Sequence, residues 1–416
     1  MKISLNLSSE GVTTELLSLG IANLLLNISS IELKGFTETP IINIEIEDIE
    51  EDIADFLINK SVEFEKKKVR HSPGGRVVGN DLKSYRTTFL NCFHSELPEG
   101  ITYPLLFIEV MKKTAILLRS GKLDPVKSLN TRSTSTFGVG AYFFITPSII
   151  KQMEFYERGT SFLKPTMGKT TMMKFDPLWF SILGLGFMEA YAGFIEGAYY
   201  LITYPYLIDL LKKPNRVLNT LRAVTSINLR RRRGLESEEV YELSLSLEIA
   251  NQLEKIEAIE TYTWPLRLYK EKLVGRALTA EKSIMLDLHD LIVFSLRYIN
   301  SWRKMENKPI VDIKDKRMTP LEALLFLADM ELRRPISGDN EMLTFLFSKE
   351  IYKAISAGNK ELMYEALYRL LRKAAAILST DKEGKRCDKM LLMILNKFSA
   401  TKHLEILIRA IEGAYS

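Results

Sequence analysis

The stretch DPLWFSILGLGFMEAYAGFIEGAYYLITYPYLIDLL (176–211) constrains this chain more than any other. Asp176 is a good N-cap and Pro177 suits the first helical position, so a helix start is predicted there. Gly186, Ala190, Gly193 and Gly197 follow at intervals of 4, 3 and 4. On one long helix they would strip a single face bare for close packing. Glu189 and Glu196 decide where such a helix lives. GFIEG is a GxxxG step of the kind seen between membrane helices. Each glutamate would cost about 2.5–3.5 kcal/mol at a bilayer centre, and no second span exists to pair with them. The expectation is therefore a buried central helix, not a membrane span.

With 416 residues, the chain can carry two or three domains, each with its own core. A hydrophobic share of 46% and a charged share of 26% are those of a globular protein. Met1–Leu7 reads as a strand and shows no secretory-signal order. The two cysteines, Cys92 and Cys387, are too few and too far apart for a disulfide framework or a CxxC metal knuckle, which fits a reducing cytoplasm. Glutamine occurs only at 152 and 252 while Lys, Glu, Ile and Tyr abound, a bias that suits an archaeal or thermophilic source.

The pattern predicts an α+β fold with two parts. Residues 1–250 form an α+β body and residues 251–416 a helical bundle. KISLNL, SIELKGF and IINIEIE alternate as strands, GVTTELLSLGIANLLLNI and DIEEDIADFLINK read as helices, and SVEFEKKKVR returns to strand character. That β-α-β-β-α-β order is ferredoxin-like. From about residue 250 onward apolar residues recur at helical spacing, punctuated by Thr319-Pro320, Pro335, Gly338 and Gly358-Asn359.

Charge is segregated along the chain. Residues 1–60 hold 3 Lys/Arg against 11 Asp/Glu, a net −8, which leaves +13 on the rest of a chain whose total is +5. A basic body of this kind suits a polyanion, and the acidic end a basic protein neighbour. The cations gather in loops. Lys66, Lys67, Lys68, Arg70, Arg76, Lys83 and Arg86 flank the turn signal Ser72-Pro73-Gly74-Gly75, where a basic hairpin or mobile loop is expected. Arg132 lies in the hydroxyl-rich SLNTRSTSTFGVG (128–140), and Lys164, Lys169 and Lys174 in a third loop at 157–174.

The sharpest cluster is LRRRRG, with Arg230, Arg231, Arg232 and Arg233 between two alternating runs that predict a β-hairpin. Arginine's planar fork pairs phosphate oxygens bidentately. At a hairpin tip four arginines would splay outward, where a polyanion relieves their repulsion. Glu236, Glu238 and Glu239 follow closely and offer the other reading, a self-neutralised charged turn. Three further basic or hydroxyl-rich loops favour phosphate contact, because phosphate recognition is usually spread over several such loops.

Catalytic constellations are incomplete. KPTMGKTT (164–171) ends like a phosphate-binding loop, but Leu163 stands where the motif needs glycine. His289-Asp290 has only His71, His94 and His403 as further histidine ligands, none at helical spacing, so a solvated pair is expected. His94 is expected to be partly buried at the end of a strand. A metal-independent ribonuclease would need it, or a tyrosine, as its acid–base group, with basic residues around the phosphate. No catalytic residue, metal or cofactor is assigned.

The α+β body with basic loops, the glycine-patterned WFSILGLGFMEAYAGFIEG, the basic hairpin and the C-terminal bundle together resemble the large subunit of an archaeal type I CRISPR interference complex, subtype I-A in particular. The resemblance covers most of the chain as architecture and charge layout. It implies a cytoplasmic, non-enzymatic subunit that contacts the 5′ handle of the guide RNA and neighbouring Cascade subunits. Such a subunit also reads a short motif beside the target in double-stranded DNA and helps recruit the helicase–nuclease. No membrane partner is implied. A ferredoxin-fold RNA endonuclease and a protein-interaction or membrane-peripheral protein are the alternatives.

Overall fold

The computed structural model describes residues 2–4, 11–36, 40–44, 49–130, 136–151, 173–195, 197–226, 237–253, 262–274, 277–313, 316–333, 343–380 and 393–414. It is a mixed α+β chain with small sheets and a helical C-terminal region. Two compact units emerge: Met1–Arg230 with Leu266–Met285, and Arg231–Pro265 with Leu286–Ser416.

The first unit is built around the predicted central helix. Asp176 caps it, accepting from the Trp179 N–H at 2.9 Å, and every residue from Pro177 to Ala190 is buried. Helix Val12–Asn27 lies so close that a Cβ on Gly186 would sit 1.7 Å from the Leu16 carbonyl oxygen. One on Gly20 would sit 2.0 Å from that of Ile182. These two glycines let the backbones touch. Helix Tyr103–Arg119 packs on another side, with Phe107 against Phe180 and Phe187 at ring distances of 5.1 and 4.9 Å, and Ile49–Phe64 packs behind it.

The helix is shorter than its glycine pattern suggests. It stops at Ala190, and Tyr191–Ile195 and Ala198–Thr203 form an antiparallel hairpin. Gly193 and Gly197 adopt φ of 139° and 80°, conformations of a hairpin and not of a helix face. The aromatic and β-branched run AYYLIT favours a strand over helix continuation. Leu266–Val274 pairs antiparallel with Ala198–Thr203, and Ala277–Leu286 completes a four-stranded sheet. Both of these strands fall where helix was expected after residue 250. The first of them pairs with Ala198–Thr203, more than sixty residues upstream, which local periodicity does not reveal.

Near the N-terminus, Lys2–Ser4, Pro40–Ile44 and Ile31–Phe36 form a small antiparallel sheet in that order. The fourth strand of the expected ferredoxin-like unit is not there. Ser61–Phe64 continues helix Ile49–Phe64, and Glu65–Val69 adds a π-helical turn. The reason is amphipathic helical burial, with Phe56, Leu57, Phe64 and Val69 all facing inward. Residues 66–91, expected as a hairpin or mobile loop, are this turn, a short connection and helix Gly79–Phe93.

The runs flanking the arginine cluster are also helical, Pro214–Ser226 and Glu238–Gln252, so the expected β-hairpin is not formed by them. Val217, Leu218, Leu221 and Val224 give the first a buried stripe, and this outweighs the local alternation. Arg230–Arg233 themselves lie outside the described residues, as do Arg132, Lys164 and Lys169.

The second unit carries helices Glu238–Gln252, His289–Lys304, Pro320–Arg333, Leu343–Ser356, Lys360–Thr380 and Thr401–Ala414, plus a short hairpin, Val311–Ile313 with Lys316–Met318. Thr319 and Glu322 form a reciprocal capping box, at 3.2 and 2.8 Å. His403 is fully buried between the Tyr298 hydroxyl at 2.9 Å and the Phe398 carbonyl at 2.8 Å. Burial pushes it down to about 4, so it is a neutral core residue.

Candidate nucleic-acid interface

The basic run EKKKVR begins where helix Ile49–Phe64 loosens into the π turn, and the change of pitch splits its lysines. Lys66, Lys67 and Arg70 stay exposed. Lys68 turns inward and donates to the carbonyls of Met188 at 2.5 Å and Glu189 at 2.9 Å, and to the Thr225 hydroxyl at 3.2 Å. Those two carbonyls belong to the last turn of the central helix, where carbonyls lack intrahelical partners and a cation is favoured. Burial is the largest influence on Lys68 and pushes it down to about 8, against the pull of Glu189.

Glu189 is 1% exposed and is held by Arg222, whose Nη2 lies 2.8 Å away and whose Nε lies 3.2–3.3 Å from the two carboxylate oxygens. Lys60 stands 3.9 Å from the same carboxylate. Arg222 also donates to the Asn23 side chain at 3.1 Å. The glutamate that weighed against a bilayer is thus neutralised by a cation from helix Pro214–Ser226.

After the turn, Ser72-Pro73-Gly74-Gly75 is fixed against the Tyr191–Ile195 and Ala198–Thr203 hairpin. The Phe194 N–H donates to Ser72 Oγ at 2.7 Å, the Tyr191 hydroxyl to the Ser72 carbonyl at 3.0 Å, and the Tyr199 hydroxyl to the Gly75 carbonyl at 2.7 Å. A Cβ on Gly74 would approach Pro104 to 2.8 Å. The cations on either side are held on a rigid support.

Between this turn and the hairpin opens a cavity of about 490 Å³. Phe64, Tyr191, Ala192 and Ile195 supply apolar wall, and Lys66, Lys67, Lys68 and Arg222 supply positive charge, with His71 beside them and Ser226 and Thr225 adding hydroxyls. Its two acids are already engaged, Glu63 by Lys60 at 2.9 Å and Lys67 at 3.3 Å, and Glu189 by Arg222. Among the described residues, Lys66 and Arg70 carry no ion pair. An anionic ligand is the complement of such a surface.

Three of the cations singled out in the sequence therefore line one cavity: Lys66, Lys67 and Lys68. Arg70 is exposed just beyond them. Arg76, also exposed, forms an isolated bridge with Thr102, and Lys83 and Arg86 are exposed on helix Gly79–Phe93. Lys174 is exposed on strand Lys174–Phe175. Sequence reasoning missed Arg222, His71 and Ser226. The one available signal was Glu189, since a carboxylate inside a wholly apolar segment requires a cation from elsewhere. His94 proves to be exposed and left-handed, φ 50°, at the C-cap of helix Gly79–Phe93. It was expected partly buried at a strand end. Helix Gly79–Phe93 forms instead because Tyr85, Thr88 and Phe89 bury one face. His289 and Asp290 are exposed and 3.0 Å apart, as a solvated pair should be. Among the described residues no cluster of metal-ligating side chains forms and no helix is long and apolar enough to cross a membrane.

No curated protein and no solved structure matches the chain. Residues 39–408 match the family described as CRISPR-associated protein (Cas_Csx9), a span that includes the basic turn, the cavity and most of the C-terminal helices. The chain belongs to this CRISPR-associated Csx9 family.

Proposed function

We propose that the chain is the nucleic-acid-binding large subunit of an RNA-guided, Cascade-type interference complex and acts without catalysis of its own. The carrying observation is the rigid cationic turn, Lys66, Lys67 and Arg70, set beside a cavity whose acids are already neutralised. Membership of a CRISPR-associated family makes guide RNA and target duplex the polyanions at hand. In this reading the turn, together with Arg76, Lys83 and Arg86, holds strand backbone. Arg230–Arg233 add duplex or displaced-strand contacts, and Arg132, Lys164 and Lys169 support them. The protein positions the backbone while guide pairing reads sequence. The other complex subunits and the helicase–nuclease are its protein partners.

The test is a salt series of binding to guide RNA and to target duplex, alone and with the other subunits. Each phosphate contact contributes about 0.9 to the slope of log K against log salt for duplex DNA. Replacing Arg230–Arg233 by alanine flattens that slope by about 2–4 if most of the four touch phosphate. Absence of binding in both settings overturns the reading. Cleavage of labelled CRISPR repeat RNA by the purified chain would overturn its non-catalytic part and favour the endonuclease alternative.

A further inference from the structure

We infer that the cavity beside the Glu65–Val69 turn receives one unstacked nucleotide of a bound single strand, with its base inside and its phosphate at the cationic mouth. This rests on the nucleic-acid reading above and adds a ligand subsite to it.

The walls of the cavity have two characters. Phe64, Tyr191, Ala192 and Ile195 provide a surface that a phosphate group alone would not need. At about 490 Å³ the space lies within the roughly 300–1,000 Å³ range of sites for small molecules. The aromatic walls are held firmly: Tyr191 stacks on Phe187 at 5.6 Å and its hydroxyl is fixed to Ser72. A pre-formed apolar slot is what an unstacked base finds favourable, because it buries the base without reorganising the protein.

The charge is arranged to fit. Lys68 and Arg222 are committed to the floor, where they hold the end of the central helix and Glu189. Lys66, exposed and without an ion pair among the described residues, stands at the mouth with Lys67 and the exposed His71. Cations at the rim and apolar walls within match a nucleotide's phosphate and base respectively. Ser226, exposed at the end of helix Pro214–Ser226, also lines the cavity, so a large side chain there obstructs the space without entering the core.

The shared ligand chemistry is a nucleoside monophosphate, and its source is either a strand or a free nucleotide; the inference commits to the strand. The experiment uses the full chain and a fluorescein-labelled 12-mer of oligouridine RNA across a salt series, with UMP and ribose 5-phosphate as competitors. Ser226→Trp is expected to weaken strand binding by about 10-fold at fixed salt with an unchanged salt slope, since it removes a base contact. Lys66→Ala is expected to lower the slope by about 0.7, one single-strand phosphate. UMP should compete at least 10-fold better than ribose 5-phosphate. Ile195→Trp serves as the second blocking variant should Ser226→Trp alter the melting temperature. Wild-type affinity in a folded blocking variant overturns the inference, as does equal competition by the two small molecules. Strand binding by wild type that ignores Ser226→Trp removes the subsite and leaves the proposed function standing. A wild-type chain that binds UMP but no strand overturns the commitment to a strand, and one that binds no nucleic acid either alone or with the other subunits removes the proposed function itself.

Discussion

The two ends of the central helix meet the same problem in opposite ways. At the N-terminus the unpaired N–H groups are met locally. Asp176, fully buried, accepts from the N–H groups of Trp179 and Val139, both at 2.9 Å, and from the Ser128 hydroxyl at 2.6 Å. At the C-terminus the unpaired carbonyls are met by Lys68, from a turn more than a hundred residues earlier. The local cap closes its end with protein. The long-range cap brings a cationic turn and the end of another helix to the site, and a cavity is left between them. A helix end capped from a distance thus gains a surface, and one capped from within only gains stability.

The largest effect expected is at neither end but between them. Gly186→Ala forces a Cβ against the Leu16 backbone, which cannot rotate away. A loss of about 3 kcal/mol or more is expected in denaturant unfolding, and a smaller loss would mean that the two helices can part without penalty. Next comes Asp176→Ala, which strands several buried donors and should cost about 2–3 kcal/mol by the same measurement. Burial raises Asp176 from 3.8 to about 6, against its hydrogen bonds. Folding therefore favours its protonated form, and this residue's contribution to stability falls as pH rises from about 4 to 6. Asp176→Asn should remove that fall.

Lys68→Ala should cost about 2 kcal/mol, since it leaves two helix-end carbonyls without a donor. Its folded value of about 8 lies below the ordinary 10.5. In that window the unfolded chain holds the extra proton, so this group's contribution improves with pH at up to about 1.4 kcal/mol per unit. A pH series of unfolding on wild type and Lys68→Ala checks this, and identical curves would detach Lys68 from the cap.

The smallest effect concerns a buried carboxyl with neither kind of partner. Glu271, on strand Leu266–Val274, is fully buried, and neither carboxylate oxygen has a hydrogen-bond partner among the described residues. Burial, and secondarily Asp81, holds it well above the ordinary carboxyl range. Its contribution therefore falls as pH rises above about 4.5, the ordinary glutamate value. Glu271→Leu should stabilise the protein by about 1 kcal/mol at neutral pH and flatten that part of the profile. A destabilised variant would reveal a partner for this carboxyl.

How much of this was legible depended on the distance between the cause and its effect. The α+β class, the start of the central helix at Asp176-Pro177 and the glycine close approach at Gly186 were written in local spacing. So was the C-terminal helical character, because amphipathic stripes such as that of Pro320–Arg333 declare themselves within one element. Gly193 and Gly197 extended the helical spacing by coincidence, and only the antiparallel pairing of Tyr191–Ile195 with Ala198–Thr203 shows that they belong to a hairpin. SVEFEKKKVR has the character of a strand, yet the burial of Phe64 and Val69 keeps it helical. For the site, the clustering of Lys66, Lys67 and Lys68 was legible, but Arg222 and His71 were not, because no local pattern links them to Glu189 or to the cavity.

By itself, then, the sequence determined the charge segregation, the buried central helix and its first cap, since these depend on composition and on neighbours a few residues apart. Tertiary structure decided which lysine turns inward, where the long apolar stretch changes from helix to strand, and that a cationic turn and an apolar hairpin enclose a cavity. Those outcomes depend on partners sixty to more than a hundred residues away, whose approach is set by burial and hydrogen bonding across the whole unit. No local preference encodes them.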